Sequence, residues 1–465
     1  MLKSGHKNIA VVGAGWAGIA AAVDACRNGH QVTLIEASRT LGGRARALPR
    51  RAHPDPAAAD PWLTLDNGQH ILLGGYAQTL RLLDALDIDP EAAFLRLPLD
   101  LRDTQGLGMH LPDMDRPWNL LVGLAMARGW SLGDKRALLA QMRAWRKSGF
   151  LCAPGRSVAD ICSGLPQAVR QSLMDPLCVS ALNTMPFKAS GQVFLRVLHD
   201  ALMGESGKST PASFATSDAL LPLRDLSRLM PEPAARWLER HGATVLRQHR
   251  VARVAWNAGR WDLEDADGGR QTFDAVIWAT APEHALQTIR HSAEGAPPNV
   301  AAHFARWCAA AEKLRYESIA TVYTHSREAT LPRPLLRLNH APGAPAQFVV
   351  DRGTMGDPGL WAFVISAARG EKSMLEFQVL NQARTELADY LGPGGIAAVQ
   401  TVIEKRATFA CTVGLKRPGP RIAPGLLACG DYTYAPYPAT LEGAVRSGQM
   451  AAMALEDMGG FKWKE

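Results

Sequence analysis

The chain is 465 residues long, 47% hydrophobic and 20% charged, a composition that suits a globular protein of two or three domains and excludes a disordered or low-complexity polymer. Its formal net charge is +7, yet the basic residues are dispersed and not interleaved with aromatics, so a nucleic-acid partner is not expected. No apolar run reaches the roughly 18 residues that span a bilayer, and with a first strand expected near Asn8 no signal peptide is expected.

The first elements are a strand from Ile9 to Val12, the turn Gly13-Ala14-Gly15-Trp16-Ala17-Gly18, an alanine-rich helix, and a second strand from Gln31 to Glu36. This order suits a pyrophosphate and a ribose. Gly13 permits the tight turn, Gly15 lets the backbone approach the phosphates, and Gly18 lets the helix lie close to the strand while its first amides face the anion. Glu36, eighteen residues after Gly18, is placed to accept from both ribose hydroxyls and to repel a 2′-phosphate, which favours FAD or NAD over NADP. Taken alone, the glycines also fit a plain strand-to-helix turn; the flanking strands and the acid argue for a dinucleotide. After Ala37 comes Gly42-Gly43-Arg44, a glycine pair and arginine that NAD binding does not need.

Arg50 to Pro61 and Pro332 to Pro345 read as surface loops. Residues from about 110 to 210 are helical in pattern. Within them, Trp118 to Trp130 is apolar for about two helical turns and bracketed by Arg116 and Arg128; it is either a helix that dips into one leaflet or a buried core helix. Ala243 to Thr280 reads as a β-meander with Asn-Ala-Gly and Asp-Gly-Gly turns. Strands are expected at Ser318 to Tyr323, Gln347 to Asp351 and Trp361 to Ser366, then a helix from about Lys372 to Leu391, together an antiparallel roof over the site. Gly425 to Asp431 is a short buried strand ending in Gly-Asp, and a helix opens after Pro438 with Thr440 as a candidate N-cap. Seven scattered cysteines without any Cys-x-x-Cys spacing argue against disulfides or zinc, and for a cytoplasmic protein; no metal is expected.

The glycine turn, the Gly42-Gly43-Arg44 extension and the C-terminal Gly-Asp with its following helix resemble the flavoproteins of the amine oxidase and phytoene desaturase superfamily. The resemblance implies FAD and an α/β fold, with a Rossmann-type FAD-binding domain (1–100, 225–290 and 411–458) interleaved with an α+β substrate domain (101–224 and 291–410). Carried over, Gly13, Ala14, Gly15, Ala17, Gly18, Glu36 and Ala37 bind the adenosine diphosphate side. Gly42, Gly43 and Arg44 continue along the pyrophosphate, and Gly430 and Asp431 meet the ribityl or phosphate region. Thr440, Leu441 and Ala444 bring a helix N-terminus to the flavin N1 and C2 carbonyl, where its partial positive charge stabilises the reduced ring. Val251 packs on adenine or is simply strand core. No covalent flavin link is expected, since Cys429 lies inside the last strand.

Asp66-Asn-Gly68-Gln69-His70, continuing to Tyr76, resembles the segment beside the isoalloxazine in the hydroxysqualene dehydroxylases of squalene and hopanoid biosynthesis. The resemblance spans the whole chain. It implies reductive removal of an allylic hydroxyl from a long-chain isoprenoid, with hydride delivered to an allylic cation; if Trp118 to Trp130 enters a leaflet, it is the mouth for that apolar substrate at the inner face of the cytoplasmic membrane. His70 is the first candidate proton donor, and Asp66 orients or replaces it. Both also read as structural, Asp66 capping a turn and His70 bonding a carbonyl. Met185, Phe187, Phe194, Met203 and Phe214 suit either an isoprenoid tunnel or ordinary core. The rival readings are a carotenoid desaturase or amine oxidase, and a protein that keeps flavin without catalysis.

Overall fold

The computed structural model describes residues 6–56, 58, 60–115, 117–204, 211, 213–434 and 436–455. Strand β1 (Asn8–Val12) is buried from Ile9 onward on both faces, as in a parallel sheet covered on both sides. Helix α1 (Trp16–Arg27) is buried on nearly every side because it lies between this sheet and a helix from the far end of the chain. Strand β2 (Gln31–Glu36) returns parallel to β1, with Val11 beside Leu34.

The chain then leaves this sheet and builds helices that include α2 (Ala77–Ala85), α3 (Trp118–Met126), α4 (Leu132–Lys147) and α5 (Gly191–Met203), before α6 (Pro231–Arg240) leads it back. Strand β3 (Thr244–Arg247) pairs in parallel with β2, Val245 beside Leu34. Strands β4 (Val251–Asn257), β5 (Arg260–Asp265) and β6 (Arg270–Phe273) form a separate antiparallel sheet, and β7 (Ala275–Trp278) rejoins β1 in parallel. The stretch from Ala243 to Thr280 is therefore not one meander. Ala275 to Trp278 is a continuous buried apolar run, which suits a doubly covered sheet, whereas β4 to β6 carry charged, solvent-facing positions.

A second large sheet is antiparallel throughout. It contains β8 (Tyr316–His325), β9 (Leu335–Arg337), β10 (Phe348–Asp351), β11 (Leu360–Ser366) and β12 (Ala397–Phe409), in the spatial order β9-β10-β11-β8-β12. Side chains alternate across it. Ala320 and Val322 pack with Leu375, Val379 and Ala383 of α7 (Lys372–Glu386), and Tyr323 joins the core on the opposite side. The helix expected to run on to Leu391 breaks after Glu386 into a short 3-10 turn, Ala388–Tyr390.

Strands β13 (Arg421–Ala423) and β14 (Leu426–Ala428) return the chain to the first sheet, giving the order β13-β14-β7-β1-β2-β3. Helix α8 (Leu441–Ala454) then crosses α1. A Cβ on Gly448 would overlap the carbonyl oxygen of Ala17, so the first and last helices touch backbone to backbone. Among the described residues no helix is long and apolar enough to cross a membrane.

Candidate cofactor cleft and active site

The glycine turn after β1 has two tight sides and one open one. Gly13 has φ +105°, and a Cβ there would lie 2.9 Å from the backbone of Ala279; a Cβ on Gly18 would overlap the Gly13 carbonyl. At Gly15 a Cβ would meet nothing within 4 Å. The close packing thus falls where strand and helix meet, and the free space falls where an anion would face the first amides of α1. The glycine pair closes the other wall: Gly42 N donates to Ala14 O at 2.8 Å, and Gly43 sits against the Cα of Gly15. At the rim, the Glu36 carboxylate accepts from Ala14 N and Ser38 N, both at 2.8 Å, and Ala37 beside it is exposed. Ala17 is turned inward to the α1–α8 crossing. Val251 opens β4, two residues beyond a segment in which His249 N donates to Glu36 O.

The two ends of the chain meet at one ion pair. Arg44 donates to Asp431 Oδ1 at 2.7 Å and to Ala407 O at 2.7 Å. Beside it, Gly430 N donates to Ser447 Oγ at 2.8 Å, which fastens the Gly-Asp turn to α8. Thr440 is the N-cap of α8, its hydroxyl accepting from Gly443 N at 3.0 Å, and Leu441 and Ala444 lie partly exposed in the first turn. Glu442, fully buried, was not singled out from sequence. It accepts from Gln78 N and from Thr79 N and Oγ1, at 3.0, 2.8 and 2.8 Å, and pairs with Arg446 at 2.7 Å, so it holds the start of α2 against the start of α8. An acid in the first turn after the Thr440 cap was visible in the sequence; its partners, more than three hundred residues away, were not.

Residues 66–70 lie on the face of the antiparallel sheet and reach the same region. Asn67 Nδ2 donates to Arg44 O and to Glu404 Oε2, at 3.2 and 3.1 Å. Gln69 N donates to Thr321 Oγ1 at 3.2 Å, and Arg352 donates to Gln69 Oε1 at 3.3 Å while pairing with Asp357. A Cβ on Gly68 would lie 3.5 Å from Thr321 Oγ1. Asp66 is 5% exposed; its Oδ1 accepts from Leu226 N at 2.9 Å, and Tyr323 Oη donates to its carbonyl at 3.1 Å. Burial pushes its carboxyl up to about 7, against the pull of the Leu226 N–H and Arg352. His70 behaves differently. Its Nδ1 lies 2.9 Å from Gly68 O and must carry the proton there, while burial, reinforced by Arg44, lowers its pKa and keeps the ring neutral with a free electron pair on Nε2. Arg352, Thr321 and Tyr323 escaped the sequence reading because each lies in an unremarkable strand or turn.

Elsewhere the structure corrects one expectation. Trp130 is buried and donates to Ser172 Oγ at 2.8 Å, so it does not match Trp118 as a headgroup anchor. Of the five middle-segment residues, Met185 and Phe187 are exposed, Phe194 and Phe214 are buried in different cores, and Met203 packs partly buried against the core that holds Phe194.

A family model of flavin containing amine oxidoreductases matches residues 16–455 of this chain. The chain belongs to the flavin-containing amine oxidoreductase family. FAD is the cofactor expected of this family, and the open side of Gly15, the carboxylate at Glu36 and the Arg44–Asp431 clasp fit that dinucleotide. The chain is similar to hydroxysqualene dehydroxylases from Sinorhizobium fredii, with 27% identity over 97% of this chain and 99% of that one, and from Rhodopseudomonas palustris, with 28% identity over 96% and 97%. Among solved structures, an oxidoreductase from Methanosarcina mazei superposes with a TM-score of 0.68 at 15% identity, covering 96% of this chain and 100% of that one. Cyclohexylamine oxidase from Brevibacterium oxydans superposes with a TM-score of 0.63 at 15% identity, over 97% and 99%. At that identity the likeness is one of fold: a parallel FAD-binding sheet and an antiparallel substrate-side sheet, as in this family.

Proposed function

We propose that this flavin oxidoreductase removes the allylic hydroxyl of hydroxysqualene to give squalene. The observation that carries the reading is its similarity, over nearly the whole of both chains, to hydroxysqualene dehydroxylases. Bound FAD in its two-electron reduced form supplies the hydride. The balance then requires one proton, so that the hydroxyl leaves as water and the hydride replaces it on carbon. Asp66 is the group in residues 66–70 able to hold that proton at neutral pH: its carboxyl titrates near 7, and among the described residues none donates to its Oδ2. His70, neutral with its Nδ1 proton committed to Gly68, fits an acceptor that orients the substrate hydroxyl through Nε2. The donor role expected first of His70 therefore passes to Asp66. Arg352, bonded to Gln69 and electrostatically coupled to Asp66, keeps that carboxyl from rising further.

The test is an anaerobic single turnover of dithionite-reduced holoenzyme with hydroxysqualene. Squalene should appear as the flavin reoxidises, and Asp66→Asn should slow that step by roughly 10²-fold or more with flavin content unchanged. Reduced flavin that persists without squalene would overturn the reading, and bleaching of oxidised enzyme by a primary amine would favour an amine oxidase instead.

A further inference from the structure

We propose that the α3–α4 face is a docking surface for the headgroup layer of an anionic phospholipid bilayer. Of the fourteen exposed large hydrophobic residues among the described residues, six fall between Leu107 and Leu132: Leu107, Met114, Trp118, Leu121, Met126 and Leu132. Singly scattered apolar side chains are ordinary on a protein surface; such a concentration is not. Trp118, Leu121 and Met126 are 60, 44 and 55% exposed, and Leu132, at the start of α4, is 73% exposed. The helix is therefore neither a core element nor long enough to span, since nine residues make about 13 Å of helix.

The base beneath it is rigid. Helix α3 rests on the protein through Asn119 and Gly123, and a Cβ on Gly123 would come within 2.6 Å of His110 O. Buried Arg337 donates to Leu101 O, Asp103 Oδ2 and Leu107 O at 2.8, 2.9 and 3.2 Å, pinning the loop from which Leu107 projects. Ala125 O is held by the ammonium of Lys135 at 2.6 Å. The apolar side chains are thus presented by a fixed ledge.

Charge selects the partner. Residues 107–147 contain seven Lys and Arg against three Asp. Asp113 is paired with Arg96, and Asp134 is turned back onto Ser131 in a capping box, which leaves Asp115 as the remaining acid. On α4, Leu132, Arg136 and Arg143 follow one another at helical spacing and all are exposed. The neighbouring cavity of about 370 Å³ is lined by Arg102 and Arg333, both paired with Asp100, and by Asp113, so its charges balance and the basic edge is that of α4. An apolar centre with a tryptophan, edged by basic residues on a short helix, is the pattern of a segment that lies in the interface with anionic headgroups around it. The inference stands whichever apolar alcohol the active site reduces.

Flotation of holoenzyme with phosphatidylcholine vesicles, with and without phosphatidylglycerol, tests it. Wild type should float with the phosphatidylglycerol vesicles, and binding should fall roughly tenfold or more both in Trp118→Ser/Leu121→Ser/Leu132→Ser and in Arg136→Glu/Arg143→Glu. Flavin content and thermal midpoint, read on each variant, should match wild type. Equal flotation of either variant, equal binding to phosphatidylcholine alone, or no binding by wild type would each overturn the proposal.

Discussion

At Asp66 burial ties the protonation of one carboxyl to the stability of the fold, and the proposed proton-donor role depends on the same titration. Its carboxyl titrates near 7 in the folded chain but near 3.8 when solvated. Between those values the folded protein keeps a proton that the unfolded chain has released, so stability falls as pH rises through that window and then levels off. The fall is on the order of a few kcal/mol. Asp66→Asn retains an acceptor for Leu226 N–H and should abolish this slope, raising the thermal midpoint at pH 7 relative to wild type; a pH series of melting curves reads it directly. Turnover should follow the opposite fate: wild-type rate should decline above about pH 7 as the proton is lost, whereas the Asn variant should be slow and flat. At His70 burial, helped by the nearby Arg44, favours the neutral ring against the opposing pull of its bond to the Gly68 carbonyl.

Among elements, the contact of α1, α2 and α8 sets the geometry of the cleft. Small residues let α8 reach the backbone of α1, and the buried carboxylate of Glu442 occupies the amides at the start of α2. Glu442→Ala strands those donors and leaves Arg446 unpaired, which should cost on the order of 3–5 kcal/mol. Gly448→Val must push the helices apart and should cost about 1–3 kcal/mol. Urea unfolding of both variants is the measurement, and equal midpoints to wild type would show that the crossing is not limiting. Sequence pattern placed α1, β1 and β2 well because propensity, glycine spacing and burial agree there. It misjudged Ala243 to Thr280 because turn signals mark where a strand ends but not which neighbour it pairs with.

Over the whole molecule, the first and last helices share one core, and Arg44 clasps Asp431 across the interval. A ligand that bridges both ends adds its binding energy to that closure, about 2.7 kcal/mol at a free concentration one hundred times its dissociation constant. Gly15→Ala should separate the fold from the ligand. Its Cβ meets nothing in the protein, so the apo form should melt within about 1 kcal/mol of wild type, while the rise in melting temperature on adding FAD should largely vanish. A rise equal to wild type would mean that the diphosphate lies elsewhere.

What the sequence alone determined is local: the turn at Gly13 to Gly18, the acid at Glu36, the Gly42-Gly43-Arg44 extension and the Thr440 cap all concern backbone geometry set within a few neighbouring residues. The tertiary structure alone decided that Trp130 turns inward while Trp118 stays out, that Glu442 serves a helix 363 residues away, and that burial moves both Asp66 and His70 toward their neutral forms. The physical reason is range. Torsional and capping preferences act along the chain and are written in adjacent letters, whereas burial, dielectric and partner choice depend on which distant segments pack together.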